Sequence, residues 1–208
     1  MYKYVKRFID FVLSLLGLII LSPVLLTFAL IIRLTSPGPA LFRQQRIGRG
    51  RSLFMMYKFR SMRIDTPENM PTHMLEHPEQ YITPVGRFIR KTSIDELPQL
   101  FNIFLGDMSI IGPRPALPNQ TDLLAERDKY GANDIRPGLT GWAQINGRDE
   151  LPIPVKARYD GEYCENVSFL FDVKCFFMTI GKVLRHDGVV EGTETADRGD
   201  RYDDGSDE

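Results

Sequence analysis

Two adjacent carboxylates, Asp95 and Glu96, stand just ahead of a proline in the stretch SIDELPQL. One interpretation is structural, because Ser93 and Glu96 have the spacing of a helix capping box. Pro98 argues against a helix that starts at Ser93, since its missing N–H would then fall beyond the first turn. A helix that starts nearer Leu97 instead puts both carboxylates at its N-terminus, where N–H groups and the helix dipole favour phosphates. Two neighbouring carboxylates there can serve as a nucleophile and as a metal ligand.

Three other segments carry basic residues that suit a phosphate. Arg114 lies between two prolines in GDMSIIGPRP, and this rigid setting limits its reach, as a diphosphate clamp requires. The Gly-rich segment RPGLTGWAQINGR ends at Arg148 and holds the one tryptophan, Trp142, which suits either a base stack or a core. If SLFMMYKFRSM is a strand, Lys58 and Arg60 share a face and could hold a phosphate together. These residue types indicate an anionic, phosphate-bearing ligand, without naming a reaction.

The charge of the chain is unevenly distributed. Residues 186–208 carry nine acids and two arginines, whereas the remainder is basic and has no acid between Asp10 and Asp65. The acidic tail has almost no apolar residues, so we expect it to be disordered. The acid-free basic region favours anionic partners, either lipid headgroups or phosphates. Cys164 and Cys175 are too few for a disulfide framework or a cysteine metal site.

The segment from Phe11 to Ile32 contains no charged residue. As a helix it would extend about 33 Å, enough for the roughly 30 Å core of a bilayer. Ser22-Pro23 interrupts it at the midpoint, and basic residues flank both ends. Proline disrupts helical hydrogen bonding, and basic flanks favour the cytoplasmic side for both ends. We therefore predict a helix-break-helix that enters and leaves the same leaflet, with a kinked single span as the alternative.

Further elements follow from local patterns. The runs LFRQQRI and SLFMMYKFRSM, joined by Gly48-Arg49-Gly50, predict a β-hairpin. The run FLFDVKCFFMTIGKVL predicts a helix that is either buried or lies along a membrane surface. The segment from His73 to His77 matches a zinc-protease pattern, although Pro71 and Pro78 bracket it and disfavour the long helix that such a site needs.

Several of these segments resemble a known family. The segments YKFRSM, TPVGRFIRKTSIDELPQLFNIFLGDMSIIGPRP and RPGLTGWAQINGR are similar to those of the bacterial sugar transferases called monotopic phosphoglycosyl transferases. The LSP break at Leu21–Pro23 and the SPGP turn match as well. The resemblance runs from about residue 2 to 187 and is to the small, minimal form of the family.

This resemblance implies an enzyme that transfers a sugar-1-phosphate from a UDP-sugar to undecaprenyl phosphate and releases UMP. It implies that Asp95 is the nucleophile and forms a phosphosugar intermediate, and that Glu96 is its acidic partner, with Mg²⁺ held by both. The implied substrate-binding residues are Lys58, Arg60, Arg114, Arg148 and Asp160. The surroundings of Asp160, YDGEYCENVSF, depart from the family's usual spacing of aromatic residues.

Together, the patterns and the resemblance predict a mainly α-helical fold with a small β-hairpin. We expect a re-entrant membrane helix over residues 1–35, a compact cytoplasmic catalytic domain over 36–187 and an acidic disordered tail over 188–208. The expected location is the cytoplasmic face of the bacterial inner membrane, with monotopic attachment, at the first membrane step of a glycan pathway. The expected partners are a UDP-sugar, undecaprenyl phosphate and membrane lipid, with no nucleic acid. A homodimer is left open.

Two other functions compete with this interpretation. A non-catalytic module of the same fold would recruit partners to anionic membrane and would tolerate Asp95→Asn. A membrane-tethered zinc hydrolase would use His73 and His77, and metal analysis of the purified protein would detect its zinc.

Overall fold

The computed structural model describes residues 2–67, 75, 77–147 and 151–185. The chain is mainly helical with a small antiparallel sheet. Its helices are α1 (Tyr2–Ile20), α2 (Ser22–Thr35), α3 (Pro84–Lys91), α4 (Gln99–Leu105), α5 (Thr121–Asp128), α6 (Trp142–Ile145), α7 (Ile153–Glu165) and α8 (Phe169–Arg185). Its strands are β1 (Leu41–Ile47), β2 (Leu53–Phe59), β3 (Ser109–Ile111) and β4 (Gly138–Thr140). The predicted acidic tail lies outside the described residues.

The apolar N-terminal segment breaks where the sequence predicts. Helices α1 and α2 meet at Leu21 with a bend of 61°. Pro23 has no N–H for the carbonyl of Ile19, and the hydroxyl of Ser22 donates to that oxygen instead, at 2.7 Å. Within the described residues, no single helix has the length and apolar character to cross a bilayer, although this bent pair meets that test as a unit.

Polar side chains on the inner face of α1 attach it to the rest of the protein. The guanidinium of Arg7 donates to two of the last carbonyls of α4, at 2.6 and 2.9 Å, which satisfies groups that a helix end leaves unpaired. The carboxylate of Asp10, 3% exposed, accepts from the hydroxyl of Ser109 at 2.7 Å and from the backbone N–H of Ile110 at 3.0 Å. Helix α1 is thereby attached to both α4 and β3.

The predicted β-hairpin is confirmed. Strands β1 and β2 pair antiparallel in continuous register from Leu41 opposite Phe59 to Ile47 opposite Leu53. The chain reverses through a 3-10 turn, Arg49–Arg51, in which Gly50 takes a left-handed conformation with φ 61°. Side chains on β2 alternate in burial, so that Met56 is buried while Met55 is exposed. One face of the hairpin therefore packs against the body of the protein.

Helix α8 lies on the surface and is amphipathic. Its inner face buries Cys175 and Asp172, and the carboxylate of Asp172 accepts hydrogen bonds from Tyr163 at 2.6 Å and from Lys6 at 2.8 Å. Its outer face is apolar and exposed, with Leu170 at 78%. The sequence left open whether this helix is buried or superficial, and the structure places one face on the core and the other outside.

Candidate active site

The backbone around the two adjacent carboxylates forms a short turn that leads into α4. Residues Ile94–Glu96 make a 3-10 turn, and α4 then begins at Gln99. Ser93 is left-handed, with φ 56°, and its side chain makes no capping hydrogen bond. The capping-box interpretation is therefore wrong, and α4 begins at Gln99, close to the predicted start near Leu97, with Pro98 as its N-cap. A left-handed residue other than glycine is uncommon, and such residues are frequent at functional sites.

Glu96 is fixed by two basic side chains from distant parts of the chain. The ammonium of Lys58, on β2, donates to Oε1 of Glu96 at 2.8 Å. The guanidinium of Arg114 lies 3.3 Å from the same oxygen. Lys58 is mostly buried, and this burial lowers its pKa even though Glu96 opposes the shift. Glu96 thus has a fixed position beside Asp95.

Asp95 is buried, at 8% exposure, within a group of charges. Burial raises the pKa of its carboxyl above the usual 3.8, and the neighbouring negative charge of Glu96 adds to this effect. The positive charges of Lys58, Arg90 and Arg114 oppose it. Basic residues on three separate elements thus favour the ionised carboxylate that a nucleophile requires, and the same residues would attract a phosphate.

Asp160 occupies a supporting position. It is 1% exposed, and its Oδ2 accepts from Nε and Nη2 of Arg127 at 2.8 and 2.7 Å. Another nitrogen of Arg127, Nη1, donates to the backbone carbonyl of Arg114 at 3.0 Å. This geometry connects α7 and α5 to the segment that carries Arg114. Asp160 is thus enclosed, and it contacts the segment that carries Arg114 through Arg127.

The structure separates Lys58 from Arg60, which the strand pattern had placed together. Strand β2 ends at Phe59, and the guanidinium of Arg60 lies against the segment that follows α2. There it donates to the carbonyl of Ser36 at 2.8 Å and is 5% exposed. Burial and the nearby charge of Arg33 lower its pKa. Lys58 therefore belongs to the carboxylate site, and Arg60 to the exit of the N-terminal helix pair.

The Gly-rich segment contributes less to the described site than the sequence suggested. Arg148 lies outside the described residues. Trp142 donates from its indole nitrogen to Glu162 at 2.9 Å, and its ring packs 5.1 Å from that of Phe171. The ammonium of Lys174 lies 4.9 Å from the centre of the indole ring. Trp142 thus has the packing role that the sequence left as one of two choices.

Two residues near the site were not identified from the sequence. Arg90 lies in the last turn of α3, shortly before the carboxylates, and the amphipathic run GRFIRK that precedes them was a usable signal. Arg127 is buried, and no local sequence pattern shows which arginine will become buried on folding. Both act on the site through tertiary contacts.

The carboxylate pair fits Mg²⁺ better than zinc. Magnesium is commonly held by one or two carboxylates together with substrate phosphates, and Asp95 and Glu96 supply two carboxylates in one turn. Among the described residues no group of three or more His, Cys, Asp or Glu side chains could hold a metal ion. His73 lies outside the described part, and His77 is exposed, with Nδ1 3.3 Å from Glu79.

Comparison with known proteins places the chain in a family. A family model described as bacterial sugar transferase matches residues 1–186. The chain is 38% identical over 193 residues to a UDP-glucose:undecaprenyl-phosphate glucose-1-phosphate transferase of Escherichia coli K12, covering 86% of this chain and 40% of the relative. It is 37% identical over 188 residues to a UDP-N-acetylgalactosamine-undecaprenyl-phosphate N-acetylgalactosaminephosphotransferase of Aeromonas hydrophila, covering 88% of this chain and 44% of the relative.

A third relative is similar over almost its whole length. It is an uncharacterized sugar transferase, EpsL, of Bacillus subtilis 168, 39% identical over 194 residues, with 93% of this chain and 94% of the relative covered. The chain thus spans less than half of the first two relatives and nearly all of the third. Since the family model covers most of the chain, the protein belongs to the bacterial sugar transferase family.

Proposed function

We propose that this protein is a phosphoglycosyl transferase that moves a sugar-1-phosphate from a UDP-sugar to undecaprenyl phosphate. One observation carries the proposal: Asp95 is a buried carboxylate next to Glu96, within the field of three basic side chains. The names of the relatives support the substrate classes, because they pair a UDP-sugar with undecaprenyl phosphate. We propose two chemical steps that use the same carboxylate.

In the first step, an oxygen of the Asp95 carboxylate attacks the phosphorus that bears the sugar. A bond from this oxygen to phosphorus forms, and the bond from phosphorus to the oxygen shared with UMP breaks, so UMP leaves with the electron pair. Both reactants are anionic, so their repulsion must be offset by positive charge. Lys58 on β2, Arg90 on α3 and Arg114 after β3 supply that charge.

In the second step, an oxygen of undecaprenyl phosphate attacks the same phosphorus. The bond to Asp95 breaks, its carboxylate is restored, and the product is the sugar attached to the lipid through a diphosphate. Neither step requires a proton to be gained or lost by the side chain. Splitting the reaction lets a soluble donor and a lipid acceptor use one site in turn, which removes the need to bind both together.

Asp95 and Glu96 are the residues that would hold Mg²⁺. When bound, the ion would add positive charge against the phosphate oxygens of the donor. The protein's own contribution is to fix these carboxylates, and the hydrogen bond from Lys58 to Glu96 does this at one of them.

We further propose that the protein is monotopic and lies on the cytoplasmic face of the bacterial inner membrane, with α1 and α2 dipping into one leaflet. Large apolar side chains point outward along this pair, among them Ile20 at 70%, Leu26 at 71% and Leu34 at 75% exposure. Such side chains are costly in water and favourable in lipid. The bend at Leu21 and the basic flanks support entry and return on one side.

Exchange of labelled UMP into UDP-sugar in the absence of lipid acceptor tests the covalent route. The purified protein should catalyse this exchange, and mass spectrometry should find the phosphosugar on the peptide that contains Asp95. Asp95→Asn should abolish exchange, while the same change at the exposed Asp122 should preserve it. A protein that turns over but never exchanges UMP would sink the two-step proposal.

The two alternative functions give different results. A recruitment module would bind anionic vesicles equally well after Asp95→Asn and would release no UMP from any UDP-sugar. A zinc hydrolase would contain stoichiometric zinc and would lose activity on mutation of His77. UMP release that depends on undecaprenyl phosphate contradicts both.

A further inference from the structure

A row of polar residues lines the face of α4 and its preceding turn that packs against β2. Glu96, Gln99 and Asn102 recur at three-residue spacing, so their side chains lie on one side of the helix. Gln99 is 2% exposed and Asn102 is fully buried. Glu96 accepts from Lys58 on β2, and Asn102 bonds two backbone groups of β2 at 2.7 and 3.0 Å. The row therefore runs from Glu96, the neighbour of the candidate nucleophile, into the core.

Gln99 is the exception in this row. Its Nε2 is buried and has no hydrogen-bond partner within the described parts of the chain. An unpaired buried donor costs free energy, and a leucine in its place would avoid that cost. The residue thus carries an unused donor at a point where an apolar side chain would stabilise the fold better.

The unused donor lies about one helical turn from Asp95. Leu97 and Pro98 have helical backbone angles, with φ −57° and −60°, so the turn of Asp95 runs into α4 without a break. Side chains four residues apart on a helix are neighbours. Gln99 follows Asp95 by four residues along this continuous helical backbone, so a buried donor without a partner in the described chain lies about one helical turn from the candidate nucleophile.

We infer that Gln99 is a catalytic residue whose Nε2 donates a hydrogen bond to a non-bridging oxygen of the phosphoryl group while that group is bonded to Asp95. The inference rests on the proposed function and adds a specific donor to it. An amide suits this position because it is neutral and donates at any physiological pH. It can stabilise the negative charge on phosphorus-bound oxygens without repelling the magnesium or accepting a proton.

The test compares Gln99→Leu with wild type and with a matched control, Gln80→Leu, at an exposed glutamine. The full-length protein in lipid nanodiscs is assayed for UMP exchange without lipid acceptor, so that only the first chemical step is measured. We expect the maximal exchange rate of Gln99→Leu to fall about 10²–10³-fold, the range for loss of one transition-state donor, with the KM for UDP-sugar nearly unchanged. Gln99→Glu should lose at least as much, because its carboxylate cannot donate and repels phosphate.

Thermal stability separates this role from a merely structural one. Because Gln99→Leu removes an unpaired buried donor, its melting temperature should equal or exceed that of the wild type while its rate falls. A variant that exchanges UMP at the wild-type rate would overturn the inference, and so would a rate loss matched by a lower melting temperature. If the wild type shows no exchange, the proposed two-step function is refuted, and this result differs from the outcomes that concern Gln99.

Discussion

Replacement of Asp160 by asparagine distinguishes a substrate-binding residue from a supporting one. The variant keeps the size of the side chain and removes its charge, so Arg127 is left buried without a counter-charge, at 4% exposure. The two contacts that it weakens measure 2.8 and 2.7 Å. Removal of one partner from a buried ion pair typically costs about 3–5 kcal/mol.

This loss should be large enough to measure directly. For a chain of this size, 1 kcal/mol corresponds to about 2–4 °C in melting temperature, so Asp160→Asn should lower it by about 6–20 °C. The maximal rate should fall as well, because Arg127 holds the backbone carbonyl of Arg114 at 3.0 Å. If Asp160 acts through Arg127 and does not bind the ligand, the KM for UDP-sugar should change less than the maximal rate.

A double variant separates stability from activity. Arg127→Met combined with Asp160→Val removes both charges, and such apolar replacements of buried pairs are often neutral or stabilising. It should recover most of the melting temperature but not the rate, because Arg114 still lacks its backbone contact. Fluorescence of Trp142 in detergent micelles reports the unfolding, with Asp122→Asn as the exposed control. An unchanged melting temperature together with a tenfold higher KM would show that Asp160 binds substrate and that the support model is wrong.

Two further predictions follow from the charged contacts. Lys58→Met should move the acidic limb of the pH dependence of kcat/KM to higher pH. This limb reports the ionisation of Asp95 in the free enzyme. Burial raises the pKa of Asp95, and the charge of Lys58 is the largest effect that lowers it, so its removal should raise that pKa further. A pH–rate series decides it, and a limb that stays in place or moves to lower pH contradicts the assignment. Asp10→Asn should lower the free energy of unfolding by about 1–3 kcal/mol. The hydroxyl of Ser109 and the backbone N–H of Ile110 each donate to one oxygen of Asp10, and in the variant one of them would face an NH₂ group in place of an acceptor. Calorimetry in micelles measures this loss, and an unchanged melting temperature would mean that α1 is not held to β3 by Asp10.

The sequence alone determined the features that depend on neighbours along the chain. Pro23 cannot donate a backbone hydrogen bond, so the helix break could be placed without knowledge of the fold. The same reasoning from Pro98 predicted that α4 starts near Leu97 and not at Ser93. Two runs of strand-forming residues with a Gly-rich joint between them predicted the hairpin. Each of these conclusions depends on backbone geometry within a few residues.

Only the tertiary structure decided which charged groups meet. Lys58 and Glu96 are 38 residues apart, Arg127 and Asp160 are 33 apart, and Asp10 and Ile110 are 100 apart. Local spacing even suggested a false pairing, that of Lys58 with Arg60, because it assumed that the strand continued past Phe59. The partner of a buried charge is set by which elements pack together, since the cost of desolvation must be offset across that interface. For this reason the sequence identified the two adjacent carboxylates, while the fold determined the basic residues that surround them.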